Sequence, residues 1–350
     1  MEKPVEHAGR CLMVGIPGPS LDEPARTALE SLRPGGVILF RRNLDDPAQL
    51  ARLIGDLHEV LPPPTLVALD QEGGRVSRLE RWIGPTPSAV DLARAGDSPT
   101  SAFGHATAVA LRALGFNLDF APVVDLCEAQ ADNGIGNRSF GTDPMRVARL
   151  AGSFLDGLQR SGVAGCLKHF PGLGDTDVDS HDRLPTVRRG MQRLDSEDLL
   201  PYRSLADRAA SVMVGHGHYP ALDPRPGLPA TLSPAIVSGL LRDRIGFGGL
   251  VVSDDLEMGA VAAIDQRGSA AVAAVAAGCD LILYCSDLER ASAAHAALVE
   301  ASKADTRFAE RLETAARAVT RSALAWPAPR PDLTAWDEAR RGMVDTSRVV

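Results

Sequence analysis

Eight short apolar runs, each followed by an amphipathic helical stretch, set the strongest limit on the fold of this 350-residue chain. The runs are 11–16, 36–40, 65–70, 117–123, 165–170, 211–216, 249–254 and 281–285. Continuous apolar strands of this length are buried on both faces, as in parallel sheets. The intervening helices are expected at 24–32, 47–61, 101–114, 144–160, 196–208, 234–244, 269–277 and 288–301. Several open with a capping residue and proline, as at Asp46-Pro47, Asp143-Pro144 and Ser233-Pro234. The alternation predicts an α/β chain, a single (β/α)8 TIM-type barrel over 1–325 with a C-terminal helical tail at 326–350. Two smaller α/β sheets would show the same alternation.

The barrel reading locates the chemistry, because such barrels gather their active sites at the carboxyl ends of the strands. The third run ends in Asp70, the fifth in Lys168-His169, the sixth in His216 and the seventh in Ser253-Asp254-Asp255. Four of the eight strands therefore deliver ionisable groups to one rim. The stretch 167–185 adds Asp175, Asp177, Asp179, His181 and Asp182 after a Pro-Gly-Leu-Gly turn. A calcium loop would need glycine and glutamate where Ser180 and Thr186 stand, so calcium is not expected. In an extended segment Asp179 and His181 point the same way. A carboxylate beside an imidazole fixes its tautomer and makes it more basic, which suits proton transfer.

Other motifs carry weaker signals. In Asp70-Gln71-Glu72-Gly73-Gly74-Arg75, a structural Glu72–Arg75 pair is expected, with Asp70 left to accept from ligand hydroxyls. Arg138, in the Gly-rich stretch 133–141, is expected to bind an anion or sugar hydroxyls, or to pair with Asp125 or Asp132. If strand geometry persists through Asp254-Asp255, one of the two faces the barrel axis. That one is taken as Asp254, with Asp255 and Glu257 in supporting hydrogen bonds or at a helix amino end. His216-Gly217-His218 lacks a third ligand at matching spacing, so no zinc site is expected.

A net charge of −8 argues against nucleic acid and anionic membrane as partners. The five cysteines lack a Cys-x-x-Cys spacing and lie in or beside apolar runs, which reads as buried free thiols of a reducing compartment. No apolar run reaches the length of a membrane span, and the amino terminus lacks the pattern of a signal peptide. The expected compartment is the cytoplasm.

The motifs Lys-His-Phe-Pro-Gly-Leu-Gly-Asp-Thr (168–176), Asp-Ser-His (179–181), Asp-Gln-Glu-Gly-Gly-Arg-Val (70–76), Leu-Asp-Phe-Ala-Pro-Val (118–123), Ile-Gly-Asn-Arg-Ser-Phe-Gly (135–141) and Ser-Asp-Asp-Leu (253–256) resemble glycoside hydrolase family 3. Within it, the chain is similar to the single-domain bacterial β-N-acetylglucosaminidases of peptidoglycan recycling. The resemblance implies a retaining, exo-acting hydrolase acting on a small carbohydrate such as a muropeptide-type disaccharide. It implies Asp254 as nucleophile, His181 as general acid/base and Asp179 as its partner. Asp70, Arg78, Arg138, Lys168 and His169 would hold the non-reducing sugar, with His216 near the site.

Lys168 and Arg138 are the cations expected beside Asp254, and the dyad loop is expected to close on bound sugar. No metal or organic cofactor is needed, and a monomer is the default. Leu173 stands where the family has a second histidine, and Asn137 where it has an acid. A phosphorylase, a broad β-glucosidase and a non-catalytic sugar-binding protein are the competing readings.

Overall fold

The computed structural model describes residues 2–176, 180 and 182–349. Eight parallel strands close into one barrel in chain order: β1 (Leu12–Gly15), β2 (Gly36–Ile38), β3 (Leu66–Leu69), β4 (Leu118–Asp119), β5 (Ala164–Phe170), β6 (Ser211–Val214), β7 (Leu250–Asp255) and β8 (Leu281–Tyr284). β8 pairs with β1, Met13 opposite Leu283, so the two-sheet alternative is excluded. All eight runs foreseen in the sequence overlap their strands.

Alternation within the strands divides the core into two. Met13, Ile38, Leu66, Ala68, Leu118, Cys166, Met213, Val252, Leu281 and Leu283 fill the barrel interior. Leu12, Val14, Val37, Val67, Leu69, Val212, Val251 and Ile282 face the helices. This period-two division follows from side chains alternating across a strand. Ala318, Val319 and Ala323, on helix Thr306–Ala325, join the interior cluster with Trp326 packed against it. Asn117 ties this plug to the amino ends of the strands, donating to the carbonyls of Trp326 at 2.7 Å and Thr65 at 3.0 Å. One end of the barrel is thus closed by apolar packing, which leaves the carboxyl end for a ligand.

Two β-bulges reshape that open end. Leu167 and Phe170 of β5, three residues apart, pair with Val212 and Val214 of β6, two apart. Val252 and Asp255 of β7 likewise pair with Leu281 and Leu283 of β8. An extra residue in one strand re-aims the side chains around it, and bulges recur beside active sites for this reason. Both fall where the sequence concentrates its ionisable residues.

The foreseen helix 196–208 is in fact two, Met191–Ser196 and Leu200–Leu205. Pro201 cannot donate a helical hydrogen bond and is tolerated in the first turn of the second piece. Helix Glu2–Arg10 was not foreseen, and it packs on helices Leu288–Ala304 and Thr306–Ala325. Helix Leu333–Val349 packs against helix Asp97–Leu114. It buries Trp336 and Met343, and Trp336 meets Trp82 edge-on at 5.8 Å between ring centres. Truncating Trp336 to alanine is expected to cost about 3–5 kcal/mol in a denaturation experiment. The specific activity of the folded fraction should be unchanged, because Trp336 stands outside the catalytic cavity.

All five cysteines are buried free thiols. Among the described residues, no helix is long and apolar enough to cross a membrane.

Candidate active site

The carboxyl end of the barrel opens into a cavity of about 200 Å³. One side is a buried network of two carboxylates and three cations. Lys168 Nζ, on β5, lies 2.9 Å from Asp70 Oδ1 and 2.6 Å from Glu72 Oε1, both just beyond β3. Arg78 reaches the other oxygen of Asp70 at 3.0 Å. Arg138 grips Glu72 with two parallel bonds of 2.8 Å, the fork geometry that suits guanidinium and carboxylate. Burial would raise both carboxyl pKa values, but the cations outweigh it. Glu72 is pulled down to about 2, and Asp70 lies well below the usual carboxylate range. Burial disfavours the charged Lys168, yet the same two acids raise its pKa. The site therefore presents fixed charges whose spare lone pairs and protons suit a ring of sugar hydroxyls.

This arrangement corrects two expectations. Glu72 pairs with Arg138 and Lys168, while Arg75 donates to the backbone carbonyl of Ile135 at 3.1 Å. Arg138 is paired with neither Asp125 nor Asp132. Asp125 instead serves His169, accepting from its ring Nδ1 at 2.7 Å and from the amides of His169 and Leu173. Four residues that line or underlie the cavity were missed or undervalued in the sequence: Glu72, Asp119, Asp125 and Asp255. The motif Leu-Asp-Phe-Ala-Pro-Val gave a signal for Asp119, whose Oδ1 accepts from the Gln71 amide at 2.8 Å. Burial raises the Asp119 pKa well above the ordinary value, which favours the neutral acid.

Leu173 is buried and lines the cavity. A Cβ on Gly215 would lie 2.9 Å from its Cδ1 and 2.8 Å from the His169 Cβ. The leucine thus packs tightly on the β6 end, a contact that an apolar side chain satisfies. Asn137 lies in the turn Gly136–Arg138 and makes no side-chain hydrogen bond among the described residues. Downstream, Arg189 gathers Asp175, Glu197 and Asp198 at 2.8 to 3.0 Å, which pins the start of the acidic loop. Asp177, Asp179 and His181 lie outside the described residues.

Across the cavity stands the end of β7. Asp254 is half-buried and lines the cavity, its Oδ1 accepting from the Asp255 amide at 2.9 Å. Among the described residues no cation lies within ion-pair distance of it. Lys168 and Arg138 are engaged with Asp70 and Glu72, contrary to the expectation that they flank Asp254. Asp255 lines the cavity as well, so the two acids do not divide between opposite faces. The β7 bulge is the physical reason, since it breaks strict alternation at this point. The supporting roles foreseen for Asp255 and Glu257 are present. Asp255 Oδ1 accepts from the amides of Glu257 and Cys285, and Glu257 from those of Ser286 and Asp287.

His216 is fully buried behind this strand end. Its Nδ1 lies 2.6 Å from Thr231 Oγ1 and its Nε2 2.8 Å from the Asp255 carbonyl. A carbonyl only accepts, so Nε2 carries a proton. The ring steadies the backbone just after the second acid.

A family profile described as "Glycosyl hydrolase family 3 N terminal domain" matches residues 8–321. The chain belongs to glycosyl hydrolase family 3. It is therefore a glycoside hydrolase. A protein named Beta-hexosaminidase from Chromobacterium violaceum is 39% identical over 310 residues, covering 86% of this chain and 85% of that one. Another of the same name, from Alkalilimnicola ehrlichii, is 41% identical over 286 residues, covering 79% and 81%. The solved structure of a family 3 β-N-acetylglucosaminidase from a Paenibacillus species superimposes with a TM-score of 0.87 at 36% identity. It covers 98% of this chain and 68% of that one.

Proposed function

We propose that this family 3 member is a retaining exo-β-N-acetylglucosaminidase. It removes terminal non-reducing N-acetyl-β-glucosamine from peptidoglycan-derived fragments in the cytoplasm. The observation that carries the reading is the opposition across one cavity of Asp254, at the end of β7, and the Asp70–Lys168–Glu72–Arg138 network on β3, β5 and the loop after β4. The network holds the non-reducing sugar through its hydroxyls, with Arg78 bracing Asp70 and Asp125 orienting His169. Asp254 then attacks the anomeric carbon and forms a glycosyl ester. Retention of configuration follows from two such displacements.

His181, partnered by Asp179, protonates the departing oxygen in the first step. In the second it takes a proton from the water that cleaves the ester. His216 acts on the strand end that carries Asp254 rather than on the sugar.

A time course on a disaccharide of N-acetylglucosamine and anhydro-N-acetylmuramic acid, with and without phosphate, tests the reading. Free N-acetylglucosamine should accumulate at the same rate in both. Accumulation of the sugar 1-phosphate would make the enzyme a phosphorylase, and no release at all would leave a sugar-binding protein. His181→Ala should slow the natural disaccharide by roughly 10²–10⁴-fold, the usual worth of general acid–base help. An aryl glycoside with a good leaving group should lose far less rate. Equal losses on both would remove His181 from the acid role.

A further inference from the structure

Two carboxyl groups face the cavity from the end of β7, and the reaction just described uses one. Asp255 is the other. Its Oδ1 is engaged by the amides of Glu257 at 3.0 Å and Cys285 at 3.3 Å. Among the described residues no backbone amide donates to Oδ2, and the further contact of the carboxyl is a side-chain hydrogen bond with the Cys285 thiol, a weak donor that a stronger ligand group can outcompete in the cavity Asp255 lines.

A substrate bound for attack by Asp254 has its anomeric carbon against β7, so the substituent on the adjacent C2 must lie at the same strand end. An acetamido group there needs a hydrogen-bond donor for its carbonyl oxygen and apolar contact for its methyl. Met213, Met258 and Leu283 line this side of the cavity and supply the apolar surface. Of the other lining residues contributed by β7, β8 and their turns, Cys285 is a buried thiol with a raised pKa, a weak donor. Asp254 is committed to the anomeric carbon, which leaves Asp255.

We infer that Asp255 reads the 2-acetamido group of the substrate, its protonated carboxyl donating from Oδ2 to the acetamido oxygen. The inference rests on the glycosidase reading above and adds the residue that sets its preference for an N-acetylated sugar. Protonation is the condition, because an ionised carboxylate only accepts. Burial pushes the Asp255 pKa up to about 7, helped by the like charges of Glu257 and Asp254. The other groups against Asp255 are the Cys285 thiol, just beyond β8, which hydrogen-bonds its carboxyl, and the His216 ring, just beyond β6, which touches its carbonyl. A buried acid kept neutral so that it can donate is an established device of active sites.

The test compares kcat/KM for 4-nitrophenyl N-acetyl-β-glucosaminide and 4-nitrophenyl β-glucoside across a pH range. Both substrates share one leaving group and one acid/base dyad, so the ratio cancels the titration of the dyad. In the wild type the ratio should be high below the Asp255 pKa. It should fall roughly tenfold above it, as one neutral hydrogen bond is lost. In Asp255→Asn the amide nitrogen takes the place of Oδ2 and donates at every pH, so the ratio should stay high and flat. In Asp255→Ala it should be low and flat.

A wild-type ratio independent of pH overturns the inference without recourse to any variant. So does an asparagine variant that keeps the wild-type pH dependence. If the wild type releases nothing from the N-acetylglucosaminide, the functional assignment itself fails, an outcome distinct from the other two.

Discussion

Asp254→Ala should abolish turnover while leaving the fold intact. Removal of a covalent nucleophile costs several orders of magnitude in kcat, roughly 10⁴-fold or more. The folded state should tolerate the change, because Asp254 is half-buried and, among the described residues, its side chain accepts from the adjacent backbone amide. No buried cation is left unpaired, since the cations of the cavity are committed to Asp70 and Glu72. Circular dichroism and thermal midpoint should therefore match the wild type. A fluorinated glycoside that traps the ester should label the wild type on Asp254 and leave the variant unlabelled. Label on Asp255 in the wild type would reverse the roles assigned to the two acids.

The sequence is least legible at this point. Eight strands and most helices can be read directly, since both obey simple periods: continuous apolar runs for strands buried on two faces, and capped amphipathic stretches between them. The rim residues could also be read, because a barrel has one functional end and the ionisable residues cluster there. Bulges leave no period to read. The one after Leu167 and the one after Val252 are known from pairing with the neighbouring strand, which no local pattern encodes. Hence Lys168 and His169 both line the cavity, as do Asp254 and Asp255, although alternation alone would have split each pair.

The same limit applies to partners. Glu72 and Arg75 are close in sequence and look paired, but the fold brings Arg138 to Glu72 across 66 positions. Asp125 finds His169 across 44. Such pairs depend on where loops from different strands meet, and that is settled only when the barrel closes.

Lys168→Met should lower both stability and catalysis, and the pH dependence of the loss identifies its cause. Lys168 is 2% exposed and bonds to two carboxylates, so methionine fills its volume but removes both contacts. Removing one member of a buried ion pair typically costs about 3–5 kcal/mol. Here Asp70 keeps Arg78 and Glu72 keeps Arg138, so the lower end, about 3 kcal/mol, is expected. In the wild type both acids have depressed pKa values. Their stabilisation is complete above the ordinary carboxylate range, about pH 4 to 5, and is lost as pH falls through the folded values.

Without the lysine the folded pKa values of Asp70 and Glu72 should rise. The variant then takes up protons at a higher pH than the wild type, and its stability deficit should shrink as the solution is acidified from neutrality. Loss of a charge-assisted bond to the sugar should lower kcat/KM by roughly 10–100-fold at neutral pH. Denaturation curves at neutral and acidic pH separate the explanations. A deficit that stays constant with pH would mean that the lysine contributes packing alone, and the charged network would lose its claim to organise the sugar site.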